Sequence, residues 1–93
     1  MNVRELMDKT GLESLVLPDG EKKINGGYAG DLLSWVMGRA EEGDAWVTIM
    51  SNINVVAVAS LRDVACVILA ENSDIDKETL EKAEAEGVNI LRS

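Results

Sequence analysis

The chain predicts an α/β fold: a small mixed or parallel sheet flanked by helices, with a β-α-β-α-β core after an N-terminal helix and hairpin. Three observations lead there. Trp46 to Met50 and Val64 to Ala70 are rich in β-branched residues, and the second run, Val-Ala-Cys-Val-Ile-Leu-Ala, has no polar residue on either face. A strand apolar on both faces must be covered on both, which is the condition of a parallel or mixed sheet with helices outside it. Third, the stretch after that run carries helix signals: Asp76 as N-cap, Ile75 and Leu80 at hydrophobic-staple spacing, and Gly87 just past the end.

Taken in order, Asn2 to Lys9 reads as a short helix, with Asn2 as N-cap, Val3, Leu6 and Met7 along one stripe, and Gly11 beyond its end. Leu15-Val16-Leu17 reads as a strand that turns at Pro18-Asp19-Gly20 and returns through Lys22 to Asn25 as a hairpin. Gly26-Gly27-Tyr28-Ala29-Gly30 matches neither a Walker loop nor a dinucleotide fingerprint, so its glycines read as tight turns and close backbone packing, with a ligand-approach site as the alternative. Asp31 is placed to cap a helix from Leu32 to about Glu41 that ends near Gly43. Leu32, Leu33, Val36, Met37 and Ala40 share one face of that helix, and Trp35 lies off it, as a core edge or as an interface residue.

Asn52 to Asp63 joins the two β-branched runs and admits two readings. It is a helix capped by Asn52 or Asn54, because parallel strands need a crossover, or it is the second strand of a hairpin. As a helix it is apolar nearly all round, with only Ser60 and Arg62 polar between Val55 and Arg62, so either other layers of the domain or a second subunit must cover it. In the last helix, Lys77 to Glu86, Leu80 and Ala83 face the sheet and the glutamates face solvent; Val88 to Leu91 closes the sheet.

At 93 residues the chain reads as one domain, 1–93, and a chain of this size buries only about 60 to 65% of its unfolded surface, which favours association. Nine Lys and Arg against seventeen Asp and Glu leave a formal charge of −8, which repels nucleic-acid phosphates and anionic membranes. No leader, no long apolar run and a single cysteine place the chain in the cytoplasm. Cys66, inside an apolar strand, reads as a small buried hydrophobe. Without histidine there is no histidine base, no histidine metal ligand and no Ser-His-Asp triad. No cofactor, metal or catalytic set is expected. Asp31 with Ser34, and Asp74 with Asp76, are explained by helix capping.

Two functional classes fit these residues. One is a non-catalytic regulatory or protein-interaction module, a homodimer that also docks on another protein, with Trp35, Val58 and Leu61 as candidate interface residues. The other is a sensing domain for a nucleotide or metabolite, sited at the carboxyl ends of the strands, where Ser51, Asn52, Asn54, Asn72, Ser73 and Asp74 gather.

The words GGYAGDLLSWVMGRA, WVTI, NVVAVASLRDVACVILAEN and the closing VNIL, spread from Gly26 to Leu91, resemble the DRTGG domain, a module similar to the N-terminal domain of HPr kinase/phosphorylase. The chain looks most like the small stand-alone, HPr kinase-related branch, in which Tyr28, Asp31 to Ser34 and the run Asn54 to Ala59 recur. The resemblance implies an α/β module without catalysis of its own, found beside other domains in regulatory settings; the kinase chemistry belongs to a separate P-loop domain. At the places of the family's Asp-Arg-Thr and Gly-Gly words this chain reads Met50-Ser51-Asn52-Ile53-Asn54 and Glu71-Asn72.

Overall fold

A computed structural model describes residues Met1–Ser93. The elements run α1 (Val3–Thr10), β1 (Glu13–Val16), β2 (Gly26–Ala29), α2 (Leu33–Arg39), β3 (Asp44–Thr48), α3 (Ile53–Arg62), β4 (Cys66–Leu69), α4 (Lys77–Glu86) and β5 (Ile90–Arg92). The strands form a single mixed sheet in the order β1-β5-β4-β3-β2; β2 to β5 are parallel and β1 closes one edge antiparallel to β5. The segment 52–63 is therefore helix, the crossover that parallel β3 and β4 require.

Consecutive parallel strands lie side by side, so every crossover steps in the same direction and its helix falls on the same face. On that face α2, α3 and α4 bring Val36, Val56, Ala59 and Ala83 against Trp46, Val67, Leu69 and Ile90. The other face is covered by α1, whose Val3, Leu6 and Met7 pack near Cys66, Ile68 and Leu91. Both faces of β4 are thus buried under helices, as its unbroken apolar run requires. Asn2 caps α1 in a full capping box with Glu5, and Gly11 ends it at φ 75°.

The expected hairpin is not formed. β1 and β2 sit at opposite edges of the sheet, and Lys22 to Asn25 contributes only an isolated bridge between Lys23 and Asn2. After the turn at Pro18, the chain crosses the amino end of the parallel strands instead of doubling back. Side chains hold it there: the Asp19 N–H donates to Asn89 Oδ1 at 2.9 Å, Asn89 Nδ2 donates to the Asp19 and Ala65 carbonyls at 2.7 and 3.0 Å, and Lys22 pairs with Asp63.

The glycine run, expected to be turns, is instead the edge strand β2. Gly26 serves close approach: a Cβ there would lie 2.9 Å from Asp44 Oδ1. Helix α2 is shorter than expected at both ends. Leu32, not Asp31, is its N-cap position, with no side-chain cap, and the helix stops at Arg39. Beyond the stop, Arg62 at the end of α3 donates Nε and Nη2 to the Ala40 carbonyl at 3.1 and 2.9 Å, so a cation takes up this C-terminal acceptor. In α4 the inward residues are Thr79 and Ala83, and Leu80 is only half-buried. Thr79 and Ala83 lie four apart on one stripe, and Leu80 falls about 100° round from it.

Candidate functional site

Because β3 and β4 are parallel neighbours, with Thr48 beside Leu69, the loops that follow them lie side by side over the carboxyl end of the sheet. Ser51, Asn52, Asp74, Ile75 and Asp76 line an open crevice there of about 430 Å³. Two helices begin at it. Asn52 Oδ1 accepts the Asn54 N–H at 2.9 Å and starts α3; Asp76 Oδ1 accepts the Thr79 N–H at 2.7 Å and starts α4. Hydrogen bonds from the Thr79 hydroxyl and backbone hold the Asp76 carboxyl below its ordinary range, so it is a carboxylate at neutral pH.

Of the six residues expected here, Ser51, Asn52 and Asp74 line the crevice. Asn54, Asn72 and Ser73 do not. Asn54 lends its backbone amide to the cap, and Ser73 turns inward, its hydroxyl donating to the Ala70 carbonyl at 2.8 Å. Asn72 and Glu71 both take left-handed backbone conformations, φ 52° and 58°, at the place of the resembled family's Gly-Gly word. Such conformations are easy for glycine and costly for residues with a Cβ, least so for Asn. Ile75 and Asp76 line the crevice as well; in the sequence both are helix-start signals, and the parallel neighbourhood of β3 and β4 is what brings one helix start beside the other.

Asp31 has a different task from the cap expected of it. Its Oδ1 accepts from the Ile49 N–H at 3.0 Å and the Thr48 Oγ1 at 2.8 Å, bonds that tie the end of β2 to the end of β3 and lower its pKa. Three further residues were expected at an interface. Val58 is 8% exposed and belongs to the core beneath α3, so it offers no surface. Trp35 is 53% exposed, with the Arg39 guanidinium 4.0 Å over its ring. Leu61, 72% exposed, opens on a groove of about 230 Å³ between α3 and α4, lined also by Ala57, Ser60, Lys82 and Glu86. No helix is long and apolar enough to cross a membrane.

These features define the class: a mixed α/β domain with an open crevice at the carboxyl ends of its parallel strands. A solved structure shares its fold, that of the CBS and DRTGG domains of the regulatory region of Clostridium perfringens pyrophosphatase complexed with activator, diadenosine tetraphosphate. The two compare with a TM-score of 0.73 at 13% sequence identity, over 99% of this chain and 40% of that one. No family model matches the chain, and no curated protein matches it by sequence.

Proposed function

We propose that the chain is a non-catalytic regulatory or protein-interaction module of the DRTGG kind, in its stand-alone HPr kinase-related branch, working as a homodimer. The observation that carries this reading is the fold likeness to a regulatory region over 99% of the chain. The words between Gly26 and Leu91 add to it at the level of family. The carboxylates best placed for chemistry are engaged structurally, Asp31 between two strand ends and Asp76 in a helix cap. Incubation with ATP, Mg²⁺ and candidate protein substrates should give no phosphoryl transfer; transfer that a point mutation in this chain removes would overturn the non-catalytic reading.

The crevice favours a second reading, a sensing domain for a nucleotide or metabolite. Its lining offers the Ser51 hydroxyl, the Asn52 amide and two carboxylates, Asp74 and Asp76. Those carboxylates and the net charge of −8 favour a neutral or hydroxyl-rich ligand over a polyphosphate. The test is an amide NMR titration with nucleosides, nucleotides and small metabolites. Saturable shifts confined to Ser51–Val55 and Asp74–Asp76 would support sensing, and saturable shifts on another surface alone would reject this site.

A further inference from the structure

The two edges of the sheet are built differently. At β1 the ladder is broken by a register shift between Ser14 and Val16 and flanked by the Glu13–Arg92 ion pair at 3.0 Å, devices that discourage another strand from joining. At β2 nothing comparable stands guard. The strand reads Gly-Gly-Tyr-Ala, with Gly26, Gly27 and Ala29 exposed, and its only partner is β3.

The ladder fixes which backbone groups are free. The Gly30 N–H donates inward to the Val47 carbonyl at 3.1 Å, and Ala29 is in register with Val47. In a parallel pair, alternate residues turn both their N–H and C=O to the same side, so Tyr28 bonds inward with Gly30 while Gly27 and Ala29 present theirs outward. These two residues carry the smallest side chains, so nothing hinders an approaching backbone.

Resting on the homodimer reading above, we infer that a second copy of this chain pairs antiparallel along the outer edge of β2, about a two-fold axis at Tyr28. In that register Gly27 of each copy faces Ala29 of the other, and the four outward N–H groups meet the four outward carbonyls. The two Tyr28 side chains stand opposite each other, a pairing that stabilises antiparallel strands. The edge also suits a twin on charge: each chain carries −8, yet Gly26 to Gly30 holds no charged residue, so the copies meet where repulsion is least.

Area decides how much more must be covered. A four-residue strand is about 13 Å long, too little for the roughly 800 Å² per partner of a stable interface. Exposed apolar side chains lie close by in the chain and in the sheet: Leu32 and Trp35 at the start of α2, which follows β2, and Val47 on β3, in register with Ala29, with Ile49 two residues on. A second copy added at β2 can draw on these side chains.

Light scattering behind size exclusion tests the inference, on the wild-type chain and on Gly27→Glu and Ala29→Pro. A Cβ on Gly27 meets nothing closer than 3.6 Å, so Gly27→Glu fits the fold while setting a charge on the edge. Ala29→Pro removes an outward N–H and leaves the β3 ladder intact. The expected result is twice the 10.0 kDa chain mass for wild type, with both variants folded by circular dichroism and monomeric at the same concentration. If both folded variants stay dimeric, the β2 pairing is wrong and the dimer is built elsewhere. If wild type itself is monomeric at 100-fold higher concentration, the pairing and the homodimer reading fall together.

Discussion

Replacing Asn89 with alanine should remove a large share of this domain's stability without touching the crevice. Asn89 is 1% exposed and makes three hydrogen bonds, two to the Asp19 backbone and one to the Ala65 carbonyl. At about 1 kcal/mol net per bond the loss is roughly 3 kcal/mol, and the stranded, buried Ala65 carbonyl pushes it upward. A chain of this length has on the order of 5–14 kcal/mol in total, at about 0.05–0.15 kcal/mol per residue. The melting temperature should fall by about 12–24 °C, at about 4–8 °C per kcal/mol for a domain this small. Urea titration followed by circular dichroism reads the change, with the slope unchanged if only stability is affected. Asn89→Asp should be no milder, since a carboxylate has no hydrogen to donate to the two carbonyls. A loss under about 0.5 kcal/mol for Asn89→Ala, the size of an ordinary surface substitution, would refute the view that this side chain pins the crossing segment to the sheet.

The two faces of β4 should respond unequally to charge. Val67→Asp, at a fully buried side chain under the helical layer, should abolish cooperative unfolding, whereas Ile68→Asp, at a half-buried side chain on the face under α1, should leave a folded but weakened protein; equal effects measured in urea would contradict the layer assignment. Burial pushes the Cys66 thiol up to about 12, so it should resist iodoacetamide at pH 8 in the native state and react in urea. Rapid native labelling would show that its strand opens. Asp31 is held below the ordinary carboxylate range by the Ile49 amide and Thr48 hydroxyl. Its folded form therefore binds its proton less readily than the unfolded one, and the stability it adds is complete above the unfolded pKa and lost as pH falls below about 4 toward the folded value. Asp31→Asn should flatten the acid limb of stability against pH, and an unchanged limb would deny the coupling.

Much of the fold was legible where local and tertiary demands agree. The Val64–Ala70 run specified a strand covered twice, and Asp76 with Gly87 bounded α4 because capping is local chemistry. Legibility failed where a distant partner overrides local preference. Gly26-Gly27 has poor strand propensity, yet the run becomes β2 because it pairs with β3, 18 residues on, where Gly26 also sits close against Asp44. Asp31 has the look of an N-cap, but Thr48 and Ile49, far along the chain, claim its carboxylate. Pro18-Asp19-Gly20 announced a turn correctly; the direction taken after it depends on Asn89, 70 residues on. At the crevice, the asparagine and serine pattern gathers at the carboxyl end of the sheet, but only the side-by-side placement of β3 and β4 selects Ser51, Asn52 and Asp74 as lining and adds Ile75 and Asp76.

The antiparallel edge has a kinetic consequence. β2 to β5 are joined one to the next by single helical crossovers, each closing a loop of modest length, whereas β1 meets β5 only by spanning 79 residues, from Glu13 to Arg92. Long-range contacts of that kind are slow to form because chain-closure entropy is lost before any contact compensates it. The parallel ladder should consolidate first, and α1 with β1 should then dock on it like a late-fitted strap. Pulsed hydrogen exchange during refolding should find the amides of β3 and β4 protected before those of β1, with the amino-terminal quarter of the chain still open on a largely assembled sheet.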